Sequence, residues 1–115
     1  MPQITRLDTG PRMSQGVVHG DTIYLAGQVN KDVADVTGQT ANVLKQIDGL
    51  LARAGSSKDK ILSATIYLAD IKTFADMNKA WDAWVPPGNC PARTTLEAAL
   101  AAPDYLVEVT VVAAK

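Results

Sequence analysis

Helical periodicity appears in only two stretches of this 115-residue chain, against five stretches with strand character. Two helices can cover one face of a sheet but not both. The second face would carry Tyr24, Thr65, Tyr67, Thr95 and Thr110, too apolar for open solvent over a broad area and too polar for a sealed core. A symmetric oligomer that packs such sheets together resolves the conflict, and its subunit clefts become the natural pockets.

The elements themselves are legible. Val17-Val18-His19 and Thr22-Ile23-Tyr24-Leu25 flank Gly20-Asp21, a pair suited to a tight hairpin because glycine accepts positive φ without a Cβ clash. Between Thr37 and Gly55 the residues Val43, Leu44, Ile47, Leu50, Leu51 and Ala54 recur at helical spacing, with Gly55 placed to end the helix in a left-handed cap. Ile61 through Ala69 reads as a strand with Leu62, Ala64, Ile66 and Leu68 on one face. A second helix is expected from Thr73, its hydroxyl capping and Asp76 completing a capping box, with Phe74, Met77, Trp81 and Trp84 as the buried stripe before Pro86-Pro87-Gly88. Strands near Arg93 to Leu100 and Leu106 to Ala113 close the chain around a turn at Pro103-Asp104, and a short strand is allowed at Ile4 to Leu7. No repeat or linker divides residues 1–115, which read as one α+β domain.

Composition excludes several function classes. A net charge of -1 gives no electrostatic case for nucleic acid or an anionic membrane. One cysteine, Cys90, and one histidine, His19, are too few for a disulfide framework or an ordinary zinc site. Cys90 reads as incidental, His19 as a solvated turn residue, and Trp81 and Trp84 as core. No stretch approaches the ~20 apolar residues needed to span a bilayer, and Met1 to Arg6 lacks a signal-peptide core, so a cytoplasmic location is expected. Gly27-Gln28 lacks the Gly-rich run and Lys of a phosphate loop.

Against this apolar background Arg93 and Glu108 stand out, each inside a β segment where an unpaired charge costs several kcal/mol. On residue type alone, such charges are more often an ion pair or an exposed edge than a site. If the last two strands formed a hairpin across Ala101 to Tyr105, Glu108 would face position 98 and Arg93 would lie ~16 Å away at the usual rise per residue. Either the strands are not hairpin neighbours or a site using both residues combines two subunits, and the second reading is favoured.

The ordered set Gly10-Pro11, Ser14-Gln15-Gly16, Tyr24-Leu25-Ala26-Gly27-Gln28, Gln39-Thr40, Ala54-Gly55, Asp70, Phe74, Asn78, Pro91-Ala92-Arg93 and Val107-Glu108-Val109 resembles the RidA (YjgF) family over essentially the whole chain. The resemblance implies a chorismate-mutase-like α+β fold, a mixed β-sheet with two helices packed on one face, assembled as a homotrimer with clefts between subunits. It also implies hydrolysis of enamine and imine acids, of the 2-aminoacrylate and 2-iminobutyrate type, to 2-keto acids and ammonia without cofactor or metal. Arg93 would anchor the substrate carboxylate through its planar donor fork. Glu108 would hold the attacking water and pass a proton to the departing ammonia. Thr95, Gly27, Asn78 and Met13 complete the expected ligand contacts, although Asn78 taken alone is more simply a helix-surface or inter-subunit hydrogen-bonding residue.

The chain also departs from the family pattern. It reads Gly10-Pro11-Arg12-Met13-Ser14-Gln15 where members commonly read Gly-Pro-Tyr-Ser-Gln, Ala26-Gly27-Gln28 for Ser-Gly-Gln, and Thr95 for a cysteine. Changes among groups that orient a substrate alter substrate choice or abolish turnover. Capture of a small carboxylate or keto acid without catalysis, and a protein-interaction or chaperone-like role, therefore stand as alternatives.

Overall fold

The computed structural model describes residues 2–115. Its strands are β1 (Ile4–Leu7), β2 (Gly16–His19), β3 (Thr22–Leu25), β4 (Ile61–Leu68), β5 (Ala92–Glu97) and β6 (Val107–Ala114), with helices α1 (Val36–Arg53) and α2 (Phe74–Trp84). They form one mixed sheet in the order β1-β2-β3-β6-β4-β5. All neighbours are antiparallel except β4 and β5, which run parallel because α2 carries the chain back between them.

The local causes follow the residues. Gly20 takes φ 60 in the two-residue turn between His19 and Thr22. Asp35 starts α1 by accepting a bond from the Gly38 N–H at 2.8 Å. Gly55, at φ 85, ends it: its N–H and that of Ser56 turn back to Ala52 and Leu51 carbonyls, in the Schellman pattern. The expected capping box on α2 does not form. Asp70 instead caps a preceding 3-10 turn, Ile71–Thr73, by accepting from the Lys72 N–H, and the Thr73 hydroxyl donates back to the Asp70 carbonyl. The chain therefore enters α2 already wound, and the Thr73 hydroxyl, turned back to Asp70, makes no cap bond to the helix.

Val43, Leu44, Ile47 and Leu51 of α1 and Met77 and Trp81 of α2 pack on Ile66, Leu68, Val107, Val109 and Val111 of the sheet. Each such aliphatic side chain contributes about 2 kcal/mol on burial. Gln39 is buried among them with both ends satisfied: Nε2 donates to the Val33 and Asp104 carbonyls, and Oε1 accepts from the Leu106 N–H. It fixes the turn that leads into β6. Trp84 donates its indole N–H to the Asp48 carboxylate, while Lys58 donates to the Trp84 carbonyl at 2.7 Å, which ties α2 to α1.

Several expectations are corrected. β5 and β6 are not hairpin neighbours, since β4 lies between them and pairs with both. Leu62 is 55% exposed: two residues of β4 oppose one of β6 between Ile61 and Ser63, and this bulge turns Leu62 out while Ile61 takes the buried position. Phe74 is 40% exposed rather than buried, because it lies at the first turn of α2 over the sheet edge. The last strand before the Pro103 turn also stops at Glu97, with Ala98 bonded to the Leu68 carbonyl as the chain leaves the sheet.

Both helices pack on the face that carries Val107, Val109 and Val111. The register places Val17, Tyr24 and Val112 in one row of the other face, Thr110, Thr65 and Thr94 in the next, and Glu108, Tyr67 and Leu96 in a third. No helix covers these rows. Thr95 is not among them, contrary to expectation: it pairs with Ile66 and so points to the helix side.

Candidate functional site

Alternation along the strands separates the two charged candidates. Arg93 pairs with Ala64, a core residue, and projects toward α2. Glu108 pairs with Tyr67 and projects from the uncovered face. Ala64 and Tyr67 are three positions apart on β4, an odd number, so their neighbours face opposite ways. Within one chain the sheet lies between the guanidinium and the carboxylate.

Glu108 is placed by its neighbours across the sheet. After β3 the chain continues as Ala26-Gly27-Gln28, and Gln28 exchanges both backbone bonds with Val109, at 2.8 and 3.1 Å. This holds Gly27 against Glu108 so closely that a Cβ on Gly27 would fall 1.9 Å from Glu108 Oε2. With the Glu108 carboxylate where it is, a larger residue at position 27 would push it aside. The carboxylate is half-buried and makes no side-chain hydrogen bond among the described residues. It lines a cavity of ≈ 420 Å³ with Gly27, Tyr67, Thr110 and the segment Ala98, Ala99 and Leu100. Thr110 has no proton to donate to a ligand, since its hydroxyl donates to the Leu25 carbonyl at 2.8 Å.

Arg93 is held differently. Its Nη1 donates to Asn78 Oδ1 at 2.8 Å, and its guanidinium carbon lies 5.1 Å from the Trp81 ring centre and 5.6 Å from that of Phe74. Phe74, Asn78 and Trp81 stand at i, i+4 and i+7 of α2, one face of the helix. The two rings lie within cation–π range of the guanidinium, and Asn78 occupies one of its donors. The remaining in-plane donors keep the geometry that matches a carboxylate.

Thr95 lies two residues beyond Arg93 on the same face, and its hydroxyl is shut away from solvent with no hydrogen-bond partner among the described residues. Met13 joins neither group. It is 49% exposed in the loop between β1 and β2, its carbonyl accepting from the Gly10 N–H. The expected set therefore divides into a carboxylate group of Glu108 and Gly27 and a cation group of Arg93, Asn78 and Thr95. Sequence reasoning missed Tyr67 and the 98–100 wall of the cavity. It assigned Trp81 to the core, where it is, without seeing that the same ring supports Arg93; the shared helical face with Phe74 and Asn78 was the available signal.

The likenesses of this chain to known proteins run its full length. A family model described as endoribonuclease L-PSP matches residues 3–115. The RutC family protein YoaB of Escherichia coli K12 is 50% identical over 111 residues, spanning 96% of this chain and 97% of that one. A RutC family protein of Haemophilus influenzae is 43% identical over 112 residues, covering 96% and 97%. The crystal structure of a YjgF family member from Neisseria meningitidis superposes with a TM-score of 0.97 at 44% identity, covering 98% of this chain and 95% of that one. That of a protein of the Rid family, YyfA of Yersinia pestis, gives a TM-score of 0.91 at 28% identity, covering 98% and 100%.

Proposed function

This chain belongs to the endoribonuclease L-PSP family, whose relatives here carry the RutC, YjgF and Rid names, and we propose that within it the protein hydrolyses small 2-imino acids in clefts between the subunits of a homotrimer. The observation that carries the proposal is the placement of Arg93 and Glu108 on opposite faces of one sheet. Each is prepared for a ligand, and neither can reach the other's ligand within one chain. Packing the uncovered face of one subunit beside the β5 edge of the next brings one residue from each into a single cleft.

In that cleft Arg93 of one subunit binds the carboxylate of the imino acid in bidentate fashion, held in plane by Asn78 and by the rings beneath it. Glu108 of the neighbour takes a proton from water as oxygen bonds to the imine carbon. It returns that proton to the nitrogen of the resulting carbinolamine, then accepts the carbinolamine hydroxyl proton as the carbon–oxygen double bond forms and the carbon–nitrogen bond breaks, and passes it to the departing ammonia, releasing keto acid and ammonium. Positioning supplies much of the rate, since a protonated imine is already electrophilic. The description of the family model as an endoribonuclease finds less support, because a net charge of -1 gives no electrostatic pull on a phosphate backbone.

The test is keto-acid formation from freshly generated 2-iminopropionate and 2-iminobutyrate. Acceleration over spontaneous hydrolysis that is lost in Arg93→Ala supports the reading. Absence of acceleration by the unmodified protein overturns it and leaves a cleft that binds without turnover.

A further inference from the structure

A second cavity, ≈ 450 Å³, lies where the loop after β1 and the segment after β3 meet α1, with Asp8, Gln15, Gln28, Gln46, Gly49 and Arg53 in its lining. Its polar groups are ordered by one another. Gln46 Nε2 donates to Gln28 Oε1 at 3.2 Å, and Gln28 Nε2 donates to Gln15 Oε1 at 2.9 Å. The relay ends at the Gln15 side-chain NH2, which has no hydrogen-bond partner among the described residues. At the rim Arg53 donates from Nη1 and Nη2 to the two oxygens of Asp8, at 2.8 and 2.7 Å.

Two further features have no packing explanation. Gly49 sits within the last turns of α1, where glycine is the least favourable residue after proline. A Cβ there would meet no atom within 4 Å, so nothing in the fold demands glycine, and its missing side chain leaves the cavity open. Asp8 takes φ 52, the one non-glycine residue at positive φ among those described. Backbone held in this region is a marker of sites where a side chain must be aimed. The Asp8–Arg53 pair is about half exposed on both sides, so its own net contribution is small and it can share its atoms with a ligand at little cost.

We propose that this cavity binds a free α-amino acid as a zwitterion, its ammonium on Asp8, its carboxylate on Arg53 and the Gln15 NH2, and its side chain over Gly49. The site holds one charge of each sign, so a dipolar ligand of zero net charge leaves every charge paired. A simple carboxylate would place a second negative charge beside Asp8 on one cation, and a simple amine would compete with Arg53 for Asp8. Arg53 has five donors and spends two on Asp8, which leaves it able to hold both carboxylates.

The experiment is calorimetric titration of the full chain with L-alanine, and with propionate and ethylamine, which carry one of its charges each. Saturable binding of L-alanine is expected, with propionate and ethylamine weaker by about tenfold or more, the usual loss for a charged partner. Gly49→Leu fills the cavity and abolishes binding while raising Tm, and Gly49→Ala keeps binding. Asp8→Asn weakens binding about tenfold and carries the test if Gly49→Leu does not fold. No saturable binding to the unmodified protein overturns the proposal. So does binding that survives Gly49→Leu but is lost in Arg93→Ala, which would place the amino acid in the inter-subunit cleft instead.

Discussion

Arg93 and Glu108 project from opposite faces of the same sheet, separated by β4 and three register positions along it. A site that uses both is therefore complete only when two chains contribute. This yields a test that does not depend on seeing the assembly. Arg93→Ala and Glu108→Ala proteins, each inactive alone, regain activity when unfolded together and refolded as a mixture. Random assortment gives about a quarter of the unmodified specific activity, because one cleft in four receives an intact residue from each side. No recovery after mixing, with mixed trimers present by mass, would mean that both residues act from one chain.

Gly27 sets the position of the Glu108 carboxylate, since a Cβ would overlap Oε2. Gly27→Ala should leave the fold intact, because the displaced atoms are the end of a flexible side chain beside a cavity. On the proposed hydrolysis its effect falls on turnover: a shift of about 1 Å in a carboxylate that positions water costs on the order of 100-fold in kcat. Binding of a keto-acid product, which depends on Arg93, changes little. Equal loss of binding and turnover would show that Gly27 supports the fold rather than the carboxylate.

Much of this architecture was legible in the residues. The hairpin at Gly20-Asp21, the cap at Gly55 and the periodic stripe of α1 are signals within a few residues of each other, and local chemistry decides them. What local pattern could not reveal was the insertion of β4 between β5 and β6, because strand order depends on which edges meet across long sequence separations. The hairpin register pointed to a site shared by two subunits through a distance along the strands, whereas the sheet separates Arg93 and Glu108 by placing them on opposite faces. Leu62 was misplaced for a smaller reason: a bulge shifts alternation by one residue, and nothing in Ile61-Leu62-Ser63 announces it. Thr73 and Asp76 match a cap pattern, yet Asp70 had already begun the winding three residues earlier.

The Asp8–Arg53 pair gives a pH signature. Hydrogen bonds from Arg53 hold the Asp8 carboxyl below its usual 3.8, so the folded state binds the Asp8 proton less readily than the unfolded chain. The pair's contribution is thus fully present above 3.8 and fades as pH falls through the lowered folded value. Thermal melts of the unmodified protein and Asp8→Asn should differ by a constant amount from neutral pH down to about 5 and converge in stronger acid. A difference that instead grew on acidification would reverse the sign and remove Arg53 as the cause.

Thr95 separates stability from binding. Its hydroxyl is buried beside Arg93 without a partner, an arrangement that costs the fold about 1 kcal/mol or more. Thr95→Val removes the oxygen and keeps the shape, so the isolated fold should become more stable by about 1 kcal/mol in denaturant melts. If the hydroxyl is kept for a ligand carboxylate bound at Arg93, the same variant loses affinity for 2-ketobutyrate by about tenfold, the scale of one hydrogen bond to a charged group. Higher stability with unchanged affinity would assign the orphan hydroxyl to the proposed contact between subunits, and the proposed trimer rather than the ligand complex would then weaken on dilution. A gain in one property against a loss in another is the expected mark of a polar group placed for function at a cost to the fold.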